Sequence, residues 1–320
     1  MKFLITGCTG FIGQEACRLL SNMGHEVIGL DIRKHDSYNR QPKCRLLIAD
    51  ITSGHDISKS INIIGEVDYI VHLAARTDIS SDPPTDYKEN IQGVINILKF
   101  PVRHGFVFAS TQLVNKLGTA NELCIKNFSP DTSYGASKAI GETIIQNFCH
   151  KPYIILRPTT VWGPYCSQHY LNFWTNASLG LYFHSSQSAF KSFGYVTNVA
   201  LDFINAALRL GPTNSGLITY SCDQPPLELV AFVNRITKAT GRRLPLMVLP
   251  KSFSYIIALF FSIFDLIGFS SPYNLRRRRN ILTQYIFPNS FERTDSSMYL
   301  SMRQAEDFFA DWLKNFISSR

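Results

Sequence analysis

The sequence has no two cysteines closer than nine positions, so it contains no CxxC motif and none of the paired spacings that bind zinc. The seven cysteines are an odd number and do not suggest a disulfide framework. We therefore expect reduced, mostly buried thiols in a cytoplasmic protein that carries no metal. The N-terminus is apolar, but glycines interrupt it and no small-residue cleavage site follows, which predicts a strand rather than a signal peptide.

Charged residues are few, at 18% of the chain, and they leave a net charge of +8. Such a balance suits nucleic acid, an anionic membrane surface or a phosphorylated substrate. The sequence has no basic stripe interleaved with aromatics and no known nucleic-acid module, so we expect no nucleic-acid partner. The 45% of hydrophobic residues predicts a globular protein with a substantial core.

Short apolar runs alternate with helical stretches over the first half of the chain. Strands that are apolar throughout and separated by helices predict a parallel sheet covered on both faces, which is a doubly wound α/β fold. The predicted strands are 2–6, 26–30, 45–48, 69–73, 105–109 and 153–156, with 217–220 as a candidate last strand. The predicted helices are 12–23, 57–64, 90–99, 134–148 and 199–210.

The alternation degrades after Pro158, and helical patterns dominate from Pro225 onward. We therefore expect a Rossmann-type domain and a smaller, mainly helical C-terminal lobe packed over the carboxyl ends of the strands. The domain is predicted over 1–165 and completed by about 196–222, and the lobe over 166–195 and 223–320.

The stretch GCTGFIG places Gly7, Gly10 and Gly13 between the first strand and the first helix. One glycine permits the tight turn, another lets the backbone approach a pyrophosphate, and the third allows the helix to pack closely on the strand. The helix N-terminus then offers free N–H groups to the phosphates. This pattern predicts a dinucleotide site that also includes Thr9, Phe11 and Ile12.

Asp31 ends the second strand, where an acid would meet the adenosine ribose hydroxyls. It favours NAD over NADP because a 2′-phosphate would be repelled, although Arg33, after Ile32, could receive such a phosphate. Asp50 and Ile51 end the next strand and could contact the adenine, but a turn-forming role explains Asp50 equally well.

Several segments taken in order resemble the extended short-chain dehydrogenase/reductases of the NAD-dependent nucleotide-sugar epimerase/dehydratase family. The matching segments are GCTGFIG at 7–13, Asp31, Asp50-Ile51, HLAA at 72–75, Asn90, FASTQLV at 108–114, YGASK at 134–138 and LRPTTVWGP at 156–164. The resemblance implies an enzyme that moves a hydride between NAD and a sugar carbon, with Tyr134 as the acid/base.

A free tyrosine has a pKa of about 10, which is too high for a base near neutrality. Lys138 lies one helical turn from Tyr134, and its ammonium would favour the phenolate. The resemblance also places Lys138 on the nicotinamide ribose, Thr111 at the catalytic hydroxyl position and Ser110 beside it. It further implies that Leu73, Ala74, Ala75 and Pro158 lie near the cofactor and that Asn90 begins or braces the next helix.

The chain departs from the family at several substrate-facing positions. Gln112 and Leu113 follow Thr111, where family dehydratases have Asp-Glu, so we do not expect 4,6-dehydration. Thr160 stands where many relatives have an Asn that touches substrate. Lys191 stands where an Arg commonly meets the nucleotide phosphates, and a solvated lysine is an equal alternative.

The predicted function is therefore epimerisation of a nucleotide sugar, through a transient 4-keto sugar, in a homodimer. A 4-keto-sugar reductase that consumes NAD(P)H, and a non-catalytic dinucleotide-binding protein of the same fold, are the alternatives.

Residues 252–269 are nearly all apolar, and four arginines follow at 276–279. The run is short for a membrane span, which needs about 20 apolar residues. We expect a buried helix of the lobe, because a helix resting on a membrane normally carries Lys or Arg on its polar face and this one carries none. Peripheral contact with anionic lipid is the alternative.

Overall fold

The computed structural model describes residues 1–34, 43–79, 82–116, 127–185, 189–242, 245–266, 274–287 and 290–319. The chain divides into two compact units. The first comprises Met1–Tyr165, Gly194–Asp223 and Phe287–Leu300, and the second comprises Cys166–Phe193, Gln224–Ile286 and Ser301–Arg320. Within the described ranges, no helix combines the length and the apolar character needed to cross a membrane.

The strands are β1 (Lys2–Thr6), β2 (Glu26–Asp31), β3 (Arg45–Ile48), β4 (Val67–His72), β5 (Val102–Ala109), β6 (Tyr153–Pro158), β7 (Thr160–Trp162), β8 (Phe183–Ser185), β9 (Phe190–Lys191), β10 (Phe193–Tyr195), β11 (Leu217–Ser221), β12 (Leu227–Glu228) and β13 (Met247–Leu249). The helices are α1 (Phe11–Asn22), α2 (Gly54–Ile64), α3 (Lys88–Ile97), α4 (Ser133–Phe148), α5 (Gln168–Ser178), α6 (Val196–Leu208), α7 (Leu229–Ala239), α8 (Lys251–Leu266), α9 (Leu275–Leu282) and α10 (Met302–Ser318).

The first unit is built on a seven-stranded sheet in the order β11-β6-β5-β4-β1-β2-β3. Every neighbouring pair is parallel, and an apolar cluster covers each face. The predicted doubly wound α/β fold is confirmed. The chain builds β2 and β3 on one side of β1 and β4 on the other, so a crevice opens at the carboxyl ends of β1 and β4.

The segment Phe287–Leu300 belongs to the first unit, although the sequence predicted that 223–320 would lie in the lobe. Arg293 places one guanidinium nitrogen 2.9 Å from Asp202 and another 2.6 Å from Asp223. The backbone N–H of Phe291 also donates to the carbonyl of Tyr220 at 2.7 Å. The prediction was wrong here because these partners lie far apart in sequence and no local pattern marks the segment.

The second unit is mainly helical, as predicted. Its core is aromatic: the ring of Trp174 on α5 packs edge-on against Phe232 on α7 and Phe309 on α10. An ion pair of 2.6 Å joins Arg235 to Glu306 and ties α7 to α10. The fold therefore contains a compact helical unit with its own apolar core.

Helix α8 is not the buried helix that the sequence predicted. Large apolar side chains such as Phe253, Ile256 and Phe260 are more than half exposed, whereas Ser254 and Ala258 are fully buried. The prediction was wrong because an apolar run shows that a helix can be buried but does not show which face packs. Here the helix packs through its small residues.

The thiols behave as expected where the structure describes them. Cys8, Cys17, Cys166 and Cys222 are buried, Cys44 and Cys149 are half-buried, and none of these six described cysteines forms a disulfide. Cys124 lies outside the described residues. The described residues contain no cluster of His, Cys, Asp or Glu side chains that could hold a metal ion.

Candidate active site

The glycine turn lies at the crevice between β1 and β4. Gly7 has a φ of 68°, and a Cβ there would be 2.7 Å from the backbone nitrogen of Ala74, just past β4. A Cβ at Gly13 would lie 2.1 Å from the carbonyl oxygen of Gly7. Gly10 precedes α1, whose first turn has no acidic residue. A turn that excludes side chains and leads into a bare helix N-terminus fits the diphosphate of a dinucleotide.

Phe11 and Ile12, which begin α1, are partly exposed beside this turn. Asp31 ends β2 and is bonded to the turn itself. One oxygen of its buried carboxylate accepts from the backbone N–H of Thr9 at 3.0 Å and from its hydroxyl at 2.8 Å. The other oxygen accepts from the N–H of Arg33 at 3.2 Å.

The exposed side chains of Ile32 and Arg33 follow at the surface. The predicted acid therefore lies beside the predicted diphosphate cradle, although the two segments are more than 20 residues apart in the chain.

Asp50 and Ile51 have structural roles. The Asp50 carboxylate accepts from the N–H and the hydroxyl of Thr52, each at 2.8 Å, which forms the turn that leads into α2. Ile51 lies in the core, where a Cβ on Gly93 would come within 2.6 Å of its side chain. The turn-forming alternative for Asp50 is what the structure shows, and a contact with adenine stays a prediction.

Segment 73–76 after β4 is fixed from both sides. The N–H groups of Leu73 and Ala74 donate to the Thr6 hydroxyl at 3.2 and 3.1 Å, and Ala75 follows, partly exposed. Asn90 is fully buried and exchanges two hydrogen bonds with the backbone of Arg76, at 2.9 and 3.0 Å.

The amide of Asn90 also donates to the hydroxyl of Ser137 on α4 at 2.8 Å. Asn90 thus links the loop after β4 to the helix that carries YGASK.

The N-terminus of α4 is held against the end of β5. The Thr132 hydroxyl accepts from the N–H of Gly135 at 3.0 Å and caps the helix. A Cβ on Gly135 would lie 2.0 Å from the carbonyl oxygen of Leu113, so this helix turn contacts the turn that follows Thr111. Thr111 is buried, and its hydroxyl accepts from the N–H of Leu113 at 3.3 Å. This contact brings Thr111 and Tyr134 to the same end of the sheet.

Lys138 is almost completely buried, one helical turn after Tyr134, which is half-buried. Burial lowers the pKa of Lys138 to about 7, and the nearby Glu142 carboxylate opposes that shift. The ammonium nitrogen stands 4.3 Å from the centre of the Phe108 ring, a favourable cation–π position. The ring of Tyr134 lies 6.4 Å from that of Tyr87.

Glu142 was not predicted as a site residue, yet it anchors α4 to the sheet. Its two oxygens accept from two guanidinium nitrogens of Arg157 on β6, each at 2.8 Å, and both side chains are fully buried. The hydroxyl of Ser110, at the end of β5, also donates to Glu142. Ser110 therefore stabilises the contact between α4 and the sheet. A carboxylate four residues after Lys138 was the signal that could have identified Glu142.

His72, at the end of β4, was also missed. Its Nδ1 lies 2.7 Å from the Thr6 hydroxyl, and its ring stacks on Phe108 at 5.8 Å. Burial, together with the charge of Lys138, lowers the pKa of His72 to about 3, so this imidazole is neutral near neutral pH.

Two of the predicted substrate contacts have defined surroundings. The side-chain amide of Gln112 donates to the hydroxyl of Thr160, which is half-buried two residues after the buried Pro158 at the end of β6. Lys191 is buried in the second unit, where its ammonium donates to the carbonyl of Asn280 at 2.5 Å and lies 4.5 Å from the Tyr285 ring centre. The solvated-lysine alternative is wrong, and burial lowers the pKa of Lys191 to about 8.

A model of the NAD dependent epimerase/dehydratase family matches residues 3–209. A Bacillus subtilis protein named as an uncharacterized UDP-glucose epimerase is 33% identical over 193 residues, which are 51% of this chain and 58% of that protein. The chain thus matches little more than half the length of that relative. A 3-beta-hydroxysteroid dehydrogenase of Mycolicibacterium neoaurum is 25% identical over 265 residues, 76% of this chain and 71% of that protein.

Among solved structures, a UDP-glucose 4-epimerase from Thermotoga maritima with UDP-glucose has a TM-score of 0.73 to this chain. The match covers 99% of this chain and 100% of that one at 18% identity. At that identity the likeness shows the fold.

Proposed function

The chain belongs to the NAD dependent epimerase/dehydratase family, and from that premise we propose that it is an NAD-dependent enzyme that epimerises a nucleotide sugar at C4. The observation that carries the proposal is the arrangement on α4, where a buried Lys138 lies one turn from Tyr134 beside the Thr111 turn. The name of the Bacillus protein, a UDP-glucose epimerase, supports the substrate class.

The first unit would bind the dinucleotide. Gly7, Gly10 and Gly13 would admit the diphosphate, and the Asp31 carboxylate would accept hydrogen bonds from the adenosine ribose. Asp31 accepts from Thr9 and Arg33, so a ribose hydroxyl would join or replace those donors. When bound, NAD supplies the centre that accepts a hydride and later returns it.

The protein's own residues would then handle the proton. The phenolate of Tyr134 takes the proton from the sugar 4-hydroxyl as that carbon is oxidised, and later returns it. The ammonium of Lys138 favours the phenolate and holds the nicotinamide ribose. The Thr111 hydroxyl orients the sugar oxygen, and rotation of the 4-keto sugar in the pocket lets its other face be reduced.

Dehydration is not part of the proposal. Elimination of water needs an acid and a base beside the catalytic hydroxyl, and Gln112 can act as neither. Its amide is bonded to Thr160, which makes it a candidate for positioning the substrate together with that hydroxyl. Lys191 is proposed as a phosphate contact, because burial disfavours its charge and a bound anion would favour the ammonium.

The test is to identify retained NAD by mass spectrometry and to incubate the protein with UDP-, GDP- and dTDP-sugars. We expect a C4 epimer to form without net consumption of NAD. Stoichiometric consumption of NADH with a keto substrate would instead support a reductase. That second candidate is favoured by the long match to the Mycolicibacterium dehydrogenase. Absence of both retained cofactor and turnover would point to a non-catalytic dinucleotide-binding protein.

A further inference from the structure

Helix α8 presents a continuous apolar face to solvent. Phe253, Ile256, Phe260 and Ile263 are 52–59% exposed along three turns of the helix. Tyr255 and Leu259 lie on the same face and are 48% and 45% exposed. A globular protein rarely exposes so many neighbouring large apolar side chains unless the surface binds something.

The opposite face of α8 is small and hydroxylic. Ala258 is fully buried, and the hydroxyl of Ser254 lies 3.3 Å from that of Ser185 on β8. The hydroxyl of Ser262 donates to the carbonyl of Ala258 at 2.8 Å and accepts from the N–H of Leu275 at 3.0 Å. These bonds fix the rotation of the helix about its axis, so its large apolar side chains point outward.

Positive charges lie at one end of this apolar face, on Lys251, which begins α8, and on α9. Arg278 donates to the Ser254 hydroxyl and to the carbonyl of Lys251, both at 3.2 Å, and lies 5.4 Å from the centre of the Tyr255 ring. Lys251 and Arg279 are exposed. An open groove at this end of the helix is lined by Lys251, Ser252, Tyr255, Ile256 and Arg278. An apolar face flanked by cations is the composition of an interfacial helix.

We propose that α8 lies flat on the surface of a bilayer that contains anionic phospholipid. Phe253, Ile256, Phe260 and Ile263 enter the boundary between headgroups and acyl chains, and the cations of Lys251 and Arg278 meet the lipid phosphates. The net charge of +8 draws the protein to such a surface. A second copy of the chain suits this face less well, because a symmetric contact would add the cations of a second Lys251 and Arg278 and supply no anions to them.

The test is sedimentation of the full chain with vesicles of phosphatidylcholine, alone or mixed with phosphatidylglycerol. We expect binding only to the anionic vesicles. It should weaken from about 0.1 to 1 M salt, because the screening length falls from about 10 Å to 3 Å. Ile256→Ser/Phe260→Ser should weaken binding at least about tenfold through lost apolar burial. Lys251→Gln/Arg278→Gln should weaken it about 25-fold, at roughly fivefold for each charge.

Matched controls come from exposed residues elsewhere in the chain. Phe148→Ser/Phe308→Ser removes two aromatic side chains that are 64% and 56% exposed, and Lys59→Gln/Lys88→Gln removes two exposed charges from α2 and α3. Both should bind vesicles like the unchanged protein. The proposal is overturned if the unchanged protein does not bind anionic vesicles, or if the α8 variants and the control variants lose binding equally. It is also overturned if Ile256→Ser/Phe260→Ser only converts a dimer into a monomer.

Discussion

The ion pair between Glu142 and Arg157 sets the position of the YGASK helix and allows a sharp test. Glu142→Gln keeps the shape of the side chain and removes its charge. The fully buried guanidinium of Arg157 would then lose the carboxylate with which it makes two contacts of 2.8 Å. The change also removes the carboxylate that opposes the downward shift of the Lys138 pKa, so that pKa should fall further.

Leaving one member of a buried pair uncompensated costs about 3–5 kcal/mol. For a cooperative unit of this size, that loss corresponds to a fall in Tm of about 6–20 °C. Replacing both members by neutral groups of similar volume is often close to neutral. The double variant Glu142→Gln/Arg157→Met should therefore be more stable than Glu142→Gln, within about 1–2 kcal/mol of the unchanged protein.

The assay is urea unfolding of the unchanged protein, the two single variants and the double variant, read as a double-mutant cycle. A positive coupling, with the double variant more stable than either single one, is the expected result. If the two single losses simply add, or if Glu142→Gln costs less than about 1 kcal/mol, the pair is not the anchor described here.

Three further predictions concern the cofactor site and the segment that completes the first unit. If NAD holds Lys138 as an ammonium, its pKa of about 7 in the free protein means that this amine takes up roughly 0.9 proton when NAD binds at pH 8. The uptake is measured by calorimetry in buffers of different ionisation enthalpy, with Tyr134→Phe so that no phenol can release a proton. Adding Lys138→Met should abolish the uptake, and a value near zero for Tyr134→Phe alone would contradict the assignment. Gly13→Ala should abolish NAD binding because its Cβ would lie 2.1 Å from a backbone oxygen, whereas Gly54→Ala, which meets nothing within 4 Å, should bind normally in the same titration. Arg293→Ala should destabilise the first unit by about 3–5 kcal/mol in urea unfolding, because it removes the cation paired with two buried carboxylates and leaves them only neutral donors. A loss below about 1 kcal/mol would show that the pairs contribute little.

The sheet was predictable because each of its strands is an apolar run that carries its own signal. The weakest of those strands, 217–220, proved to be the edge strand β11 beside β6. The glycine turn was equally predictable from the sequence. The structure leaves no room for a Cβ at Gly7 or Gly13, so glycine is the residue that fits there.

The remaining features depend on contacts that no local pattern encodes. Arg157 and Glu142 are paired because α4 packs on the sheet. Arg293 pairs with Asp202 although the two residues are far apart in the sequence. The apolar run of α8 was visible in the sequence, but its outward orientation is set by hydroxyl bonds of Ser254 and Ser262 to neighbouring elements.

Tyr134→Phe tests the central claim most directly. The variant keeps the ring and its packing and removes only the oxygen that would exchange the proton. Turnover of a nucleotide sugar should fall by about 10²–10⁴-fold, while retained NAD, measured by mass spectrometry in the same samples, stays at the wild-type level. Undiminished epimerisation in a variant that still holds NAD would contradict the role assigned to Tyr134.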